Sequence, residues 1–473
     1  MKKYAAVSKA FLDEVRAIVG NAYVITDPEK LDPYKTDEEY DPRRFRLPEA
    51  VVRPANAEEI AAVVKICNKY NVPITVRGGG TSLADGAIAV CGGIILLTER
   101  LNKIIELNHE GMYLTAEAGV RTVDIQKMAN EAGFLYAGDP CSAESCLIGG
   151  NLATNAGGNK AVRYGVTRNQ VYCLEMVTPT GEIVEIGGRL KKCSTGYCME
   201  QLVMGSEGTL GIITKATLKL LPIMPCKFDL LAIFTDPFKA LSMVARINKA
   251  GIGPTSIEYM DNSYVRGTAD FTGFEGAPRY EDGIYVIVTV ETFTEDELDL
   301  KMEQLSDICE EAGAVEVLEA DDRIWNMRRN CQESIRITSK VSLTDDVVVP
   351  VDRLAQTIEE VMRIGSKYPF PVAPKINAHI GDGNIHIVLC KCDMNDAAWE
   401  NTVHAFHEEV YAYAYAQGGR LAGEHGIGAK KISYMEEFTP AGELELMRRI
   451  KLAWDPNLIL NPGKIFNVPA GEK

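Results

Sequence analysis

At 473 residues the chain is long enough for two or three domains with large cores. Its 50 basic against 66 acidic residues give a net charge of −16, which argues against a surface built for nucleic acid or anionic membrane.

The first stretch, MKKYAAVSKAFLDEVRAIVG, meets Asp13 and Glu14 before any long apolar run. It reads as an amphipathic helix rather than a signal peptide. No apolar run of about 18 residues follows, so no membrane span is expected. PANAEEIAAVVKICNKYN has apolar residues at helical spacing, acid early and lysine late, and reads as a helix. VPITVRGGGTSLADGA is a strand running into a glycine-rich turn. GGIILLTERLNKIIELNHEGMYLTAEAGV alternates like paired strands, with turns at Asn102 and Gly111. TVDIQKMANEAG is a short helix ending on Gly133. From Ala137 to Gly165 regular periodicity fades and Gly, Asn and Ser accumulate. LEMVTPTGEIVEIG is a hairpin with Thr180-Gly181 at its turn.

Two prolines in LLPIMPC (220–226) close this first region. Two strand–helix units follow, FDLLAIFTDPFKALSMVARINKAG and YVIVTVETFTEDELDLKMEQLSDICEEAG. DDVVVPVDRLAQTIEEVMRIGSKY and a strand pair around Gly381-Asp382-Gly383 continue the pattern. Together they imply an antiparallel sheet covered by helices. The chain ends in a helical stretch, ISYMEEFTPAGELELMRRIKLAW. The twelve cysteines are scattered, with no C-x-x-C pair at zinc-ribbon or ferredoxin spacing, and read as reduced thiols of a cytoplasmic protein.

Three loops carry the chemistry. RGGGTSLADGA (77–87) places three glycines after a strand, where the backbone can approach a ligand and its N–H groups can form an anion nest. It matches neither G-x-G-x-x-G nor G-x-x-x-x-G-K-[ST], so by itself it reads equally as a structural turn or a phosphate cradle. GDPCSAESCLIGGNLATNAGGNKAVRYG (138–165) is too long for an ordinary connection and has apolar anchors at Leu147, Ile148 and Leu152. MGSEGTLGIITKATLKL sets Glu207, Gly208 and Gly211 before a β-branched strand. Three such loops on one domain suit a large ligand with a pyrophosphate.

In combination these stretches resemble the FAD-binding domain of the vanillyl-alcohol oxidase / p-cresol methylhydroxylase fold. More closely, the chain is similar to the D-2-hydroxyacid dehydrogenase branch, which includes D-lactate dehydrogenases and the flavin subunit of glycolate oxidase. The resemblance runs from about Pro48 to Phe466. It implies an α+β protein: an N-terminal helical segment (1–45), an FAD-binding domain (46–224), a substrate or cap domain with an antiparallel sheet covered by helices (225–425), and a C-terminal helical segment (426–473). It implies that Arg77, Gly78, Gly79, Gly80, Thr81 and Ser82 wrap the pyrophosphate. It implies that Pro140, Ser142, Gly149, Gly150, Thr154, Asn155, Gly157 and Gly158 line the flavin, with Ile213 near the ring. Some relatives tether FAD through a histidine in the first glycine loop. None stands there, so non-covalent FAD is expected.

Six histidines occur, and HIGDGNIH brackets a Gly-Asp-Gly turn with His379 and His386. Alone, such a pair reads as two polar residues satisfied by neighbours. GRLAGEHGIGAKK adds Glu424 and His425. Two imidazoles and a carboxylate with open positions suit a catalytic divalent ion: zinc, iron(II) or manganese alike. The resemblance implies His379, His386 and Glu424 as metal ligands and His425 as catalytic base. Successive strand residues face opposite ways, so Glu424 and His425 share a site only if the backbone turns, which Gly423 and Gly426 permit. His404 and His407 read as surface or helix-packing residues.

IWNMRRNCQESIRITSK supplies an arginine fork for a substrate carboxylate. The resemblance favours Arg328, with Arg329 as alternative. Relatives handling 2-hydroxyglutarate carry a lysine two residues before an aspartate matching Asp346. Thr344 stands there, which implies a small acid such as D-lactate, oxidised to pyruvate. Glycolate or another small 2-hydroxy acid is the alternative. A non-redox flavin transferase of the same fold, as in ether-lipid synthesis, uses adjacent histidines that this chain lacks. No nicotinamide or iron–sulfur motif appears. The resemblance therefore implies that electrons pass to a separate protein such as electron-transferring flavoprotein.

Overall fold

The computed structural model describes residues 2–278 and 280–468. Residues 2–157, 166–223 and 424–468 form one unit, and residues 158–165 and 224–423 a second. This partition differs from boundaries at 45/46, 224/225 and 425/426. Residues 2–45 and 426–468 pack within the first unit, and the later break falls between Gly423 and Glu424. Residues 158–165 join the second unit, where Arg163 donates to the Gly253 and Glu291 carbonyls.

In the first unit, Asn56 caps helix Ala57–Tyr70 by accepting from Glu59 N–H at 2.8 Å. Glu59 in return accepts from Ala55 N–H at 2.7 Å, and Asn71, left-handed at φ 54°, ends the helix. Its face of Ile60, Val63, Val64 and Cys67 is buried in one core with strands Ala50–Val52, Ile74–Arg77 and Ile94–Leu97. The three strands run parallel, and Val24–Ile25 adds an antiparallel edge. A second sheet is antiparallel, in the order Ile104–Asn108, Tyr113–Glu117, Ile212–Lys219, Val171–Val177, Ile183–Gly187. The hairpin at Thr180-Gly181 forms as expected, with Gly181 at φ 81°. Of the paired strands read around Asn102 and Gly111, only Ile104–Asn108 and Tyr113–Glu117 pair. Ile94–Leu97 lies in the parallel sheet instead, because its all-buried IILL needs cover on both faces.

The second unit is built on a seven-stranded sheet. Its order is Glu316–Glu319, Cys226–Phe234, Ile284–Thr292, Ser256–Asp261, Lys375–His379, Asn384–Cys390, Ser342–Val348, and every pair is antiparallel. Helices Pro237–Ala250, Glu295–Ala312, Leu354–Gly365 and Asp396–Ala416 form one packed layer. Asn262–Thr272, Asp322–Arg329 and Cys331–Thr338 form another. The sheet therefore has helices on both faces, and Lys375–His379 and Asn384–Cys390 are buried throughout. Among the described residues no helix is long and apolar enough to cross a membrane. None of the twelve cysteines is in a disulfide.

Candidate functional site

Two glycine-rich loops converge in the first unit. Strand Ile74–Arg77 ends into Gly78–Ser82, and this loop packs on residues 145–150. A Cβ on Gly79 would lie 2.4 Å from the Ser145 carbonyl oxygen, so only glycine fits there. Arg77 Nη1 donates to the Thr36 carbonyl at 2.7 Å and ties the N-terminal segment to the loop. Ser82 Oγ accepts from Ala84 and Gly86 N–H, both at 3.1 Å, which shapes the next turn.

The second loop is more regular than its composition suggests. Pro140 and Ser142 open a turn, with Cys146 N–H donating to the Ser142 carbonyl at 2.8 Å. Gly149 and Gly150 lie in helix Ile148–Thr154, which ends on left-handed Asn155 at φ 53°. Thr154 bonds back to the Gly150 carbonyl, and Asn155 Oδ1 accepts from Arg168 N–H. Ile213 is buried on the adjoining antiparallel sheet. Backbone N–H groups and glycines thus meet where two loops converge, an arrangement that fits a pyrophosphate-bearing cofactor.

The loop holding Glu424 and His425 belongs to the same unit. Glu424 Oε1 lies 3.6 Å from His425 Nε2. A Cβ on Gly157 would lie 2.5 Å from Glu424 Oε2, so that glycine makes room for the carboxylate. The expected backbone turn is present: Gly426 and Gly428 adopt φ 82° and 53°. Glu207 holds it there. Its two carboxylate oxygens accept from Ile427 and Gly428 N–H, each at 2.8 Å. Burial raises the Glu207 pKa, against the pull of those N–H groups and of Lys464 and Lys431.

In the second unit, strand register assembles a row of polar groups. Glu258 pairs with His379, and His379 with Asn384. Asn377 pairs with His386, and His386 with Asp346. Directly opposed residues share a face, and so do residues two apart on one strand. Glu258, Asn377, His379, Asn384, His386 and Asp346 therefore all project from one face of the sheet. The two imidazoles meet edge to face with centroids 5.0 Å apart.

Each imidazole is oriented from behind. His379 Nδ1 is 2.8 Å from Glu258 Oε1, and His386 Nδ1 is 2.8 Å from Asn377 Oδ1. Both partners are acceptors, so each Nδ1 carries the proton and each Nε2 the lone pair. That is how metal-binding imidazoles are usually held. Asp346 Oδ2 accepts from Gly423 N–H at 2.6 Å. Glu424 is peptide-bonded to that glycine.

Arg328 ends helix Asp322–Arg329, capped by Asp321. It is buried, whereas Arg329 is exposed. The Arg328 Nε and Nη2 donate to Glu258 Oε2 at 3.0 and 2.7 Å. Burial raises the Glu258 pKa, but His379 and Arg328 outweigh it and hold the carboxylate below its ordinary value. Thr344 is buried and bonds to Gln332 at 2.8 Å. His404 is exposed, while His407 packs inside, 3.4 Å from Asp345 Oδ2 and stacked on Tyr411.

The structure thus brings His379, His386 and Arg328 together in one unit, and Gly157, Glu424 and His425 in the other. Glu258 and Asn377, and the roles of Asp346 and Glu207, were not visible in the sequence alone. For Glu258 a signal existed: SIEYM sets one carboxylate among strand-forming residues, and a charge buried in a central strand requires partners.

Comparison with known proteins gives two family matches in one chain. A family described as FAD linked oxidases, C-terminal domain, matches residues 230–465, and one described as FAD binding domain matches residues 48–187. The chain is 36 % identical over 427 residues to D-lactate dehydrogenase of Anaerostipes hadrus, covering 88 % of this chain and 89 % of that one. It is 34 % identical over 430 residues to glycolate oxidase subunit GlcD of Bacillus subtilis (strain 168), covering 90 % of each. The solved structure of p-cresol methylhydroxylase with substrate bound superposes with a TM-score of 0.81 at 17 % identity, over 99 % of this chain and 100 % of that one. That likeness establishes the fold.

Proposed function

Since the chain belongs to the FAD-binding D-2-hydroxyacid dehydrogenase family, we propose that it oxidises D-lactate to pyruvate with non-covalent FAD and one divalent ion. The observation that carries this reading is the pair His379 and His386, each with Nδ1 bonded to a buried acceptor and Nε2 as the ligand atom. Two imidazoles and the carboxylate of Glu424 would hold zinc, iron(II) or manganese.

Bound FAD supplies a hydride acceptor, and the ion supplies Lewis acidity toward the substrate's hydroxyl and carboxylate oxygens. The chain's own groups do the rest. Residues 77–82 together with Pro140, Ser142, Gly149, Gly150, Thr154, Asn155, Gly157 and Gly158 would bind the cofactor, with Ile213 near its ring. His425 takes the hydroxyl proton, and Glu207 keeps the loop of His425 in place. Arg328, not the exposed Arg329, anchors the substrate carboxylate. A guanidinium has five N–H donors, of which Glu258 takes the Nε and one Nη2. Loss of the hydroxyl proton and of the Cα hydride converts the 2-hydroxy acid to the 2-keto acid. Thr344, bonded to Gln332, offers no cation for a second carboxylate, which favours a small substrate over a dicarboxylic one. Glycolate is the second reading, supported by the GlcD relative.

Electrons leave through a protein partner, electron-transferring flavoprotein, in the cytoplasm. A net charge of −16 is unsuited to an anionic membrane surface, which accords with that setting.

The test is anaerobic mixing with D-lactate while following flavin absorbance near ~450 nm, where the oxidised cofactor is read. Bleaching by D-lactate, with weaker bleaching by glycolate, is expected. Absence of bleaching by every small 2-hydroxy acid would refute the proposal.

A further inference from the structure

One carboxylate, Glu258, touches both a proposed metal ligand and the proposed substrate anchor. Its side chain is fully buried on the central strand Ser256–Asp261. Oε1 faces His379 Nδ1 at 2.8 Å, and Oε2 takes the Nε and Nη2 of Arg328 at 3.0 and 2.7 Å. Strand register places it there: Glu258 is directly opposite His379 on one side and Ile287 on the other. A buried carboxylate is costly unless paired and hydrogen-bonded, and this one is.

We infer that Glu258 is a positioning residue that sets the tautomer of His379 and couples the metal site to Arg328. The inference rests on the metal reading above. The carboxylate only accepts, so His379 is held with its proton on Nδ1 and its lone pair on Nε2. An anionic acceptor behind the ring also makes Nε2 a better donor to a cation than a neutral one would. His386 Nδ1 instead faces the neutral amide oxygen of Asn377. The two imidazoles are therefore unequal ligands, and His379 is the stronger. Arg328 has a matching part. By balancing the charge of Glu258 it lets the carboxylate stay ionised in a buried place, and the same bonds fix the guanidinium on the histidine side of its helix.

The test uses the FAD-loaded enzyme stripped of divalent ions with a chelator. Mn2+ or Zn2+ is titrated back against a chromophoric competitor, and stoichiometry, affinity and FAD content are read together. Glu258→Gln keeps the shape and removes the charge. It is expected to bind one ion roughly 10- to 100-fold more weakly, with FAD content unchanged. Asn377→Asp is expected to tighten binding, because it gives His386 the anionic partner that His379 already has. Glu258→Gln leaves Arg328 buried without its partner, so the double variant Glu258→Gln/Arg328→Met is titrated as well. Loss of affinity in the double variant supports the inference even if the single variant folds poorly. Wild-type affinity in a folded Glu258 variant overturns it and leaves the metal reading intact. If neither the wild type nor His386→Ala binds an ion, the metal reading itself fails.

Discussion

Replacing Glu207 by Gln tests how the loop of His425 is held. The native carboxylate accepts two backbone N–H groups, from Ile427 and Gly428, each at 2.8 Å. An amide of the same shape keeps one acceptor oxygen and turns an NH2 toward the other N–H. One buried donor is then unsatisfied, at a cost of about 2 kcal/mol. The loop cannot easily shift to recover it. A Cβ on Gly428 would lie 1.7 Å from the Ala84 carbonyl oxygen, so the backbone there is already in close contact. Asn461 Nδ2 also donates to the Glu207 carbonyl, which fixes that residue independently of its side chain. The loss should therefore appear as easier local opening. About 2 kcal/mol predicts roughly 30-fold faster hydrogen exchange at residues 426–428. It also predicts a Tm lower by roughly 4–8 °C if the first unit unfolds as one. Turnover with D-lactate should fall while FAD content is retained. Unchanged exchange at 426–428 in the folded variant would show that Glu207 does not hold the loop.

Two further outcomes follow from the first unit. Asp37 is buried beside Asp85 and Glu39, with Lys464 and Arg77 as opposing charges, and among the described residues neither of its carboxylate oxygens has a hydrogen-bond partner. Burial, then Asp85 and Glu39, push its pKa from 3.8 up to about 7. A carboxyl raised in this way contributes its full stability below the unfolded value and loses it as pH rises through the folded one, a difference of at most about 4 kcal/mol. Asp37→Asn should therefore raise Tm relative to wild type at about pH 8 and give no gain near pH 4. A constant difference across that range, in thermal scans at several pH values, would remove Asp37 as the cause. Gly79→Ala drives a Cβ to 2.4 Å from the Ser145 oxygen. Overpacking of about 1–3 kcal/mol there should weaken FAD binding roughly 5- to 150-fold, read by flavin release and fluorescence. Full retention of FAD would place the cofactor away from this loop.

Much of the site was legible because its local chemistry is unusual. Three glycines after VPITV, a 28-residue loop of Gly, Asn and Ser, and histidines around Gly-Asp-Gly are patterns that ordinary packing does not demand. The hairpin at 379–386 could be read from its turn, and the bend after Glu424 from Gly426. Arg328 and Arg329 are not separated by the sequence, because which of two neighbouring helix residues faces inward depends on the surface the helix packs on.

The sequence by itself determined the residue types and their local geometry: which loops are glycine-rich, which strands alternate, where imidazoles and carboxylates stand. It could not determine which strand lies beside which. Glu258 is 121 residues from His379 and 70 from Arg328, yet it bonds to both. Glu207 is 220 residues from the Ile427 N–H it accepts. Alternation shows which way a side chain points, but not the neighbour it meets. That neighbour is set by strand order and register, which depend on burying the whole sheet between its helices. The supports behind His379, His386 and His425 are products of that packing, and only the tertiary structure decided them.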